Sequence, residues 1–442
     1  MELDYQRDSV ESIVKHATAL TGHSLVDFFP EIQDVDNIKQ KGQLGNLVEK
    51  YFFQIPISSQ SGPDFLDAGL ELKVTGVTKK DSGKFAAKER LVLTMIDFHG
   101  IVEEDWSNCH LRKKCGTMLI LFYLYEAGAE SFRRTFVLDP LVFRLDGADS
   151  AIIQRDWEFI QDKVASGLAH ELSEGDTLYL GACRKGSGGA NESLRSQPFS
   201  AIPAPARAFA LKQSYLSKIV QGHSDDDVSI TENGRKTLED VTAEKFRPYF
   251  GLTVTQIAEK LGFAITSPRP KSLNFLLVKR VLGNGTGAIV EFEKAGIQIK
   301  TVRLKANGMP KESMSFSSFS FDDLTQQPWE DSTFYRQTET KFLFVVFRID
   351  NKGTERLEAV QYWNMPYDDR CQAKIVWEAT ASKVRASNTQ FPKSSENSVA
   401  HVRPHGRNAA DTDVLPDGSS FTKQSFWLNR QYIASVIRNL NN

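Results

Sequence analysis

Two patterns of apolar positions alternate along the 442-residue chain. Segments with an apolar residue every three to four positions predict helices, including YQRDSVESIVKHATAL, NIKQKGQLGNLVEKYFF and AIIQRDWEFIQDKVAS. Segments rich in β-branched and aromatic residues predict strands, including LELKVTGV, RLVLTMIDF, TMLILFYLY and DTLYLGACR. Mixed in this order, they predict an α/β (α+β) fold with a central sheet flanked by helices.

The second half of the chain repeats this mixture after a polar segment. HSDDDVSITENGRKTLED is acidic and poor in large apolar residues, and we interpret residues 223–242 as a linker. Beyond it, VTQIAEKLGF and KSLNFLLVKRVL predict helices, whereas IVEFEKAGIQIKTVRL, KFLFVVFRID and AKIVWEA predict strands. We therefore predict two domains, residues 1–222 and 243–442, which the length of the chain also favours.

The two blocks resemble each other as a diverged internal repeat. DFLDAGLELK, which begins at Asp64, aligns without gaps with EFEKAGIQIK, which begins at Glu291. Near the end of each block, FALKQSYLSKIV aligns with FWLNRQYIASVI. The alternative is two unrelated α/β domains whose strands are similar by chance. Two matching windows in the same order favour the repeat.

Composition and net charge exclude few classes of protein. The formal net charge is −2, and hydrophobic and charged residues make up 40% and 25% of the chain, which is typical of a globular protein. A nucleic-acid partner would therefore depend on local basic patches rather than on overall charge. No apolar run is long enough to span a bilayer, and the four cysteines contain no Cys-x-x-Cys pair. We expect a cytoplasmic protein without a membrane partner.

Three polar residues in SGPDFLDAGLELKV form a candidate metal site. Residues two apart in a strand share a face, so Glu71 and Lys73 point the same way while the intervening apolar residues face a core. A turn at residues 67–69 can bring Asp64 towards Glu71. Two converging carboxylates suit Mg²⁺, which can polarise a phosphodiester and activate a water, and Lys73 can offset transition-state charge. The alternative is an amphipathic strand with an exposed Glu–Lys pair.

The segments KGQLGNLVEKYF, SGPDFLDAGLELKV and KERLVLTMI, in that order, resemble the MutH-type endonucleases of the PD…ExK superfamily. Members include the MutH mismatch-repair nickase and two-domain restriction enzymes that cut at GATC. The resemblance covers the first block to about Gln221, and the second copy makes the two-domain restriction enzymes the better match. It implies two tandem restriction-endonuclease-like domains, the second a degenerate copy.

The resemblance also implies a function and a catalytic set. It predicts a Mg²⁺-dependent type II restriction endonuclease that cuts double-stranded DNA at a short site, GATC-like or methylation-dependent, as a monomer or DNA-induced dimer. Two metal-binding carboxylates, a catalytic lysine, an additional glutamate and a further lysine are implied, namely Asp64, Glu71, Lys73, Glu49 and Lys114. Lys113 leaves the last assignment open by one position. The alternatives are a solvent-exposed helix residue for Glu49 and a basic strand cap for Lys114.

Two basic loops are candidate DNA contacts. KKDSGKFAAKER, which contains Lys84, can approach phosphates. In the family, the loop that begins at Arg184 and Lys185 reads bases in the major groove, where an arginine can contact guanine through two hydrogen bonds. Lys212 can also reach a phosphate. Ala210 stands where MutH has a tyrosine that senses adenine methylation, which puts methyl-adenine discrimination in doubt. Solvated flexible loops are the alternative for both stretches.

The second copy has lost acidic groups and has kept basic ones. Gln298 and Lys279 align with the two glutamates of the predicted site, and a neutral glutamine cannot contribute a carboxylate's charge to a cation. Arg403, aligned with the arginine of the base-reading loop, and Arg407 are candidate DNA contacts. We therefore predict a second domain that binds DNA without cutting it. For the whole chain, a mismatch-repair-type nicking endonuclease and a non-catalytic DNA-binding protein remain alternatives.

Overall fold

The structure, a computed structural model, describes most of the chain. The described residues are 5–34, 43–56, 61–186, 193–222, 224, 226–231, 236–283 and 287–439. Residues 187–192 of the predicted base-reading loop, and parts of the predicted linker, lie outside the described residues.

The first half combines six α-helices and nine strands within its described residues. The helices are α1 (Val10–Thr18), α2 (Leu25–Phe28), α3 (Gln43–Leu47), α4 (His110–Cys115), α5 (Ser150–Ala165) and α6 (Gln213–Gln221). The strands are β1 (Glu71–Lys79), β2 (Phe85–Ala87), β3 (Leu91–Met95), β4 (Thr117–Leu124), β5 (Leu141–Arg144), β6 (Leu180–Arg184), β7 (Leu194–Gln197), β8 (Ser200–Pro205) and β9 (Arg207–Leu211).

The second half has eight α-helices and eight strands within its described residues. The helices are α7 (Leu238–Phe246), α8 (Val254–Lys260), α9 (Leu273–Leu282), α10 (Val290–Ala295), α11 (Phe321–Gln326), α12 (Thr333–Thr338), α13 (Tyr367–Arg385) and α14 (Arg430–Asn439). The strands are β10 (Gln298–Leu304), β11 (Met314–Ser318), β12 (Phe342–Ile349), β13 (Glu355–Trp363), β14 (Ala400–Pro404), β15 (Thr412–Val414), β16 (Ser420–Thr422) and β17 (Gln424–Leu428). In the described part of the chain, no helix is long and apolar enough to cross a membrane.

The same strand topology occurs in both halves. In the first half β1 is parallel to β4, which pairs antiparallel with β5. In the second half β10 is parallel to β12, which pairs antiparallel with β13. A second sheet of order β3-β9-β6 corresponds to β11-β17-β14, and the hairpin β7–β8 corresponds to β15–β16. The predicted repeat of a mixed α/β unit is therefore confirmed.

Two predicted strands of the second half are wrong in part or in full. The segment before Gln298 forms the helix α10, which ends at Gly296 in the left-handed conformation (φ 67°) that commonly closes helices. AKIVWEA lies inside α13, where Val376 and Trp377 are buried at helical spacing from other buried residues. Short apolar runs cannot be assigned to helix or strand by periodicity alone, and here the longer-range packing decides.

One hydrophobic cluster contains residues from both halves. Trp157 of α5 and Phe292 of α10 both belong to it. Ile230, within the predicted linker, is buried in the same cluster, and α7 begins at Leu238, before the predicted linker ends. The segment predicted as a linker thus contributes to the core, and the two domain boundaries stay a prediction.

Polar contacts reinforce the packing between the halves. Lys294 of α10 lies 2.6 Å from a carboxylate oxygen of Asp149, and the hydroxyl of Tyr215 donates to the same oxygen at 3.0 Å. Ser214 of α6 donates to the main-chain carbonyl of Lys294 at 2.8 Å. The helices α6 and α10 therefore join the two halves through both apolar and polar contacts.

The shared cluster predicts a single unfolding transition for the whole chain. Phe292→Ala should lower the free energy of unfolding by about 3–5 kcal/mol, because it removes a large buried side chain and leaves a cavity. Differential scanning calorimetry of the full chain should show one transition that moves to lower temperature as a unit. Two transitions, of which the substitution shifts only one, would contradict a shared core.

Candidate active site

The loop that carries Asp64 folds back onto the start of β1. Phe65 and Leu70 form an isolated bridge with hydrogen bonds of 2.9 and 3.1 Å, and Gly69 adopts a φ of 62° that glycine tolerates best. Oδ2 of Asp64 accepts a hydrogen bond from the main-chain nitrogen of Leu72 at 2.8 Å. Asp64 thus lies in a tight loop rather than on a preceding strand, and the predicted turn holds its carboxylate against β1.

Glu71 begins β1 with its side chain almost completely buried, at 2% exposure. Its Oε1 lies 2.7 Å from Nζ of Lys73. Its Oε2 is buried and has no hydrogen-bond partner among the described residues. Burial raises the pKa of Glu71, Lys73 opposes the rise, and the Asp64 carboxylate adds to it. A buried carboxylate oxygen without a donor is a position where a cation would be stabilised.

Lys73 lies on the same face of β1 as Glu71 and contacts it, as the strand alternation predicts. Its Nζ also donates to the main-chain carbonyl of Leu93 in β3 at 3.2 Å. Burial alone would lower the pKa of Lys73, but Cys115 and Glu71 outweigh this effect and raise it. Lys73 is therefore a positioned ammonium group at neutral pH, and the exposed Glu–Lys pair considered from the sequence does not occur.

Lys114 is the second lysine of the site. It lies in the last turn of α4, its Nζ is 3.8 Å from Oε1 of Glu71, and it donates to the main-chain carbonyl of Gly62 at 3.3 Å. Lys113 is exposed. Lys114 is therefore the lysine that lies beside Glu71, and its catalytic role stays a prediction.

Glu49 lies in a π-helical turn, Val48–Phe52, that directly follows α3. Such turns inside helices are frequent at functional sites. Burial raises the pKa of Glu49 to about 7, Asp64 and Glu71 add to the rise, and the two site lysines oppose it. Glu49 is therefore partly buried beside the other carboxylates rather than on a solvent-exposed helix face.

The acidic groups of the site suit a hard cation. Among the described residues, no group of three or more His, Cys, Asp or Glu side chains is arranged to hold a metal ion. Mg²⁺ commonly uses only one or two carboxylates and keeps several waters. Asp64 and Glu71 supply two carboxylates, and Oε2 of Glu71 is a buried acceptor without a donor. The residues present therefore fit Mg²⁺.

The predicted DNA-contact residues of the first half differ in exposure. Lys84 lies in the turn between β1 and β2, Lys185 follows β6, and both are exposed. Lys212 is only 7% exposed, and its Nζ donates to the main-chain carbonyl of Thr177. Burial lowers its pKa to about 8, although the nearby Asp156 opposes this shift. The structure contradicts the predicted phosphate contact of Lys212, because its ammonium group is enclosed by protein.

Arg184, the candidate base-reading residue, lies at the end of β6 next to the second half. Its Nη1 is 3.8 Å from Oε1 of Glu330, and Nζ of Lys374 is 3.2 Å from the same oxygen. Burial alone would raise the pKa of Glu330, but a main-chain hydrogen bond and the two cations lower it, so Glu330 is ionised. Sequence reasoning missed Glu330 because it lies about 150 residues away from Arg184.

The strand register corrects one equivalence of the predicted repeat. β6 pairs with β9 and β14 pairs with β17, and the equivalent phenylalanines Phe209 and Phe426 fix the comparison. Counting from them, Arg403 is equivalent to Cys183, one position before Arg184. The predicted alignment of the two arginines is therefore wrong by one position, which places their side chains on opposite faces of equivalent strands.

Arg403 and Arg407 nevertheless lie on the surface of the second half. The guanidinium of Arg403 is 5.1 Å from the ring centroid of Trp427. The main-chain nitrogen of Arg407 donates to the carboxylate of Asp411 at 2.9 Å, while its side chain is exposed. Both side chains stay candidate DNA contacts.

The corresponding site of the second half lacks the carboxylate pair. Gln298 begins β10 at the position of Glu71 and is exposed. Glu291, aligned with Asp64, belongs to α10 and accepts four hydrogen bonds from residues 229–231 through one oxygen. Lys279 lies in α9. In this half Glu291 holds residues 229–231 in place through its hydrogen bonds, whereas the aligned Asp64 lies beside Glu71 in the first half.

The buried carboxylate and lysine set beside a mixed sheet, with a degenerate copy in the second half, defines a nuclease. A family model described as DNA mismatch repair enzyme MutH matches residues 53–156 and 283–374, one segment in each half. The chain is 32% identical to the Type II restriction enzyme Sau3AI of Staphylococcus aureus, over 93% of this chain and 95% of that protein.

Two mismatch-repair proteins are similar to about half of the chain. The identity to the DNA mismatch repair protein MutH of Photorhabdus laumondii is 24%, over 42% of this chain and 80% of that protein. The identity to MutH of Shewanella woodyi is 26%, over 48% of this chain and 90% of that protein.

The chain belongs to the MutH family and is a site-specific DNA endonuclease. The family resemblance seen in the sequence is thereby confirmed.

Glu49→Gln should stabilise the metal-free protein above pH 7. Because the pKa of Glu49 is raised from 4.5 to about 7 in the folded state, folding loses stability as the pH rises through this window. Glutamine stays neutral and avoids this loss. The gain should be near zero at pH 4.5 and about 1 kcal/mol above pH 7, after allowing for solvent screening.

Urea unfolding in EDTA near the two ends of this pH range measures the gain. Glu103→Gln, at an exposed position, serves as the matched control and should show no such pH-dependent gain. A Glu49→Gln variant that is equally stable as the wild type above pH 7 would show that Glu49 is ordinarily solvated.

Proposed function

We propose that the protein is a Mg²⁺-dependent type II restriction endonuclease that cuts double-stranded DNA at a short specific site, GATC-like or methylation-dependent. The observation that carries this proposal is the convergence of two carboxylates and two lysines in the first half, with the buried Oε2 of Glu71 lacking a donor. Similarity to a type II restriction enzyme over nearly the whole chain supports it.

The site residues would have different roles in hydrolysis. Asp64 and Glu71 would hold Mg²⁺, whose chemistry is to polarise the phosphodiester and to activate a water. Lys73, fixed by Glu71 and the Leu93 carbonyl, places its positive charge where the phosphate gains negative charge in the transition state. Lys114 adds a second positive charge on the same side of Glu71.

Glu49 has the acidity required of a group that exchanges a proton near neutral pH. A pKa of about 7 allows it to be either protonated or ionised at the pH of the cell. We assign it the role of accepting a proton from the attacking water. From its π-helical turn, Glu49 lies close enough to Asp64 and Glu71, which would hold the cation, for their charges to raise its pKa.

A mismatch-repair-type nicking endonuclease is the second candidate, because the matching family model is described as a mismatch repair enzyme. The presence of a second copy favours the restriction enzyme, since the MutH relatives match about half of the chain. We propose that the second half contacts DNA through Arg403 and Arg407, and that the protein acts in the cytoplasm as a monomer or DNA-induced dimer. Free cysteines at the four cysteine positions fit a reducing compartment.

Digestion of methylated and unmethylated duplex DNA with Mg²⁺, followed by sequencing of the ends, tests the proposal. Wild-type protein should produce double-strand ends at one short sequence. Glu71→Gln should abolish cleavage and leave binding to the same duplex largely intact, because it removes a charged metal ligand at nearly constant volume. Scattered ends, or near-normal cleavage by the variant, would refute the assignment; nicks alone would favour the mismatch-repair alternative.

Arg184→Ala should relax the discrimination between sites. A bidentate contact to a base contributes about 1–3 kcal/mol at one position of the site, so competition binding on single-base variants should lose its preference at that position. The neighbouring Lys185→Ala is the matched control and should weaken binding to all sequences alike, as a phosphate contact does. A uniform loss for Arg184→Ala would make Arg184 a phosphate contact instead.

A further inference from the structure

A cavity of about 540 Å³ lies in the second half. Its walls come from the segment before α9, from β10 and from the start of β11. Because β10 corresponds to β1, Lys300 corresponds to Lys73. Lys311 likewise lies three residues before β11, as Lys88 lies three residues before β3. The cavity is therefore lined by the counterpart of the first half's proposed catalytic lysine.

The charge of this cavity is the reverse of that in the first half. Five basic side chains and one acidic side chain line it, namely Arg269, Lys271, Lys300, Arg303, Lys311 and Glu312. Arg303 lies 2.8 Å from Glu312, and Arg269 lies 2.8 Å from Glu355. The three lysines have no ion-pair partner within the described part of the chain. Positive charge therefore exceeds negative charge in the cavity.

Lys300 is the lysine that this imbalance affects most. It is partly buried in β10, and burial, unopposed by any neighbouring carboxylate, lowers its pKa. Its counterpart Lys73 is paired with Glu71, but here the corresponding residue is the exposed Gln298. A partly buried ammonium group without a counter-charge is costly, and an anionic ligand would offset this cost.

We propose that the cavity binds a phosphate group through Lys300, the residue that corresponds to Lys73 of the first half. Lysine binds phosphate as a point charge, and the hydroxyls of Thr301, Ser313 and Ser315 line the same cavity and can donate to phosphate oxygens. The phosphate can belong to a DNA backbone or to a free phosphate ion, which offer the same oxygen atoms. The DNA-backbone source rests on the proposed function; the site itself does not.

Lys300→Gln in the full chain, studied in EDTA without divalent metal, tests the site in two arms. One arm titrates inorganic phosphate and detects binding by calorimetry. The other measures duplex binding as a function of salt. A free-phosphate site predicts that the variant no longer binds inorganic phosphate. A backbone site predicts duplex binding about 3–10-fold weaker and a salt slope smaller by about one. Lys300→Arg should restore the affected property.

Control substitutions distinguish the loss of the proposed phosphate site from a general loss of positive charge. Lys352→Gln, on the exposed turn between β12 and β13, should leave both arms unchanged. If Lys300→Gln fails to fold, Lys311→Gln at the exposed rim repeats the test. The proposal is overturned if Lys300→Gln binds inorganic phosphate and duplex DNA as the wild type does. It is also overturned if Lys352→Gln loses as much binding as Lys300→Gln. Since neither arm measures cleavage, a failure here is distinguishable from failure of the proposed nuclease activity.

Discussion

The buried Glu71 carboxylate and its contact with Lys73 form the constraint on which the active site depends. A carboxylate at 2% exposure is tolerated only when cations and donors lie around it. Here Lys73 and Lys114 approach one of its oxygens, whereas the other is left without a donor. The parallel pairing of β1 with β4 fixes this arrangement, because it gives Glu71 a rigid place at the edge of the sheet. Burial is the main cause of the raised pKa values of Glu71 and Glu49, and neighbouring carboxylates add to it, so ionising these groups costs stability.

Contacts between residues close in the sequence could be predicted, and those that depend on packing could not. The shared face of Glu71 and Lys73 follows from strand geometry, and the turn at Gly69 signals the approach of Asp64. In contrast, the choice of Lys114 over its neighbour depends on the orientation of α4 against β1. The contact of Arg184 with Glu330 joins two halves whose packing no local pattern encodes.

The errors of sequence reasoning in the second half have the same physical origin. A helix of six residues and a strand look alike when most of their positions are buried, so α10 could not be separated from β10 by pattern. Because β6 is buried at nearly every position, its apolar pattern does not reveal a one-residue error in its alignment with β14, and such an error moves a side chain to the other face, as for Arg403. The predicted phosphate contact of Lys212 is wrong for another reason. A basic residue after a strand can be as buried as a core residue, and the sequence does not show this.

The two halves share one strand topology, although only the first half has the carboxylate pair. The strands β10, β12 and β13 pair through their main chains and pack through apolar side chains, and neither needs a carboxylate at the head of β10. An exposed glutamine at this position avoids the cost of the desolvated charge that Glu71 carries in the first half. With glutamine at position 298, Lys300 has no carboxylate partner of the kind that Glu71 provides for Lys73, and this is the basis of the proposed phosphate site. If the proposed phosphate site is correct, a duplicated endonuclease domain without its carboxylate pair would contact DNA with the same fold.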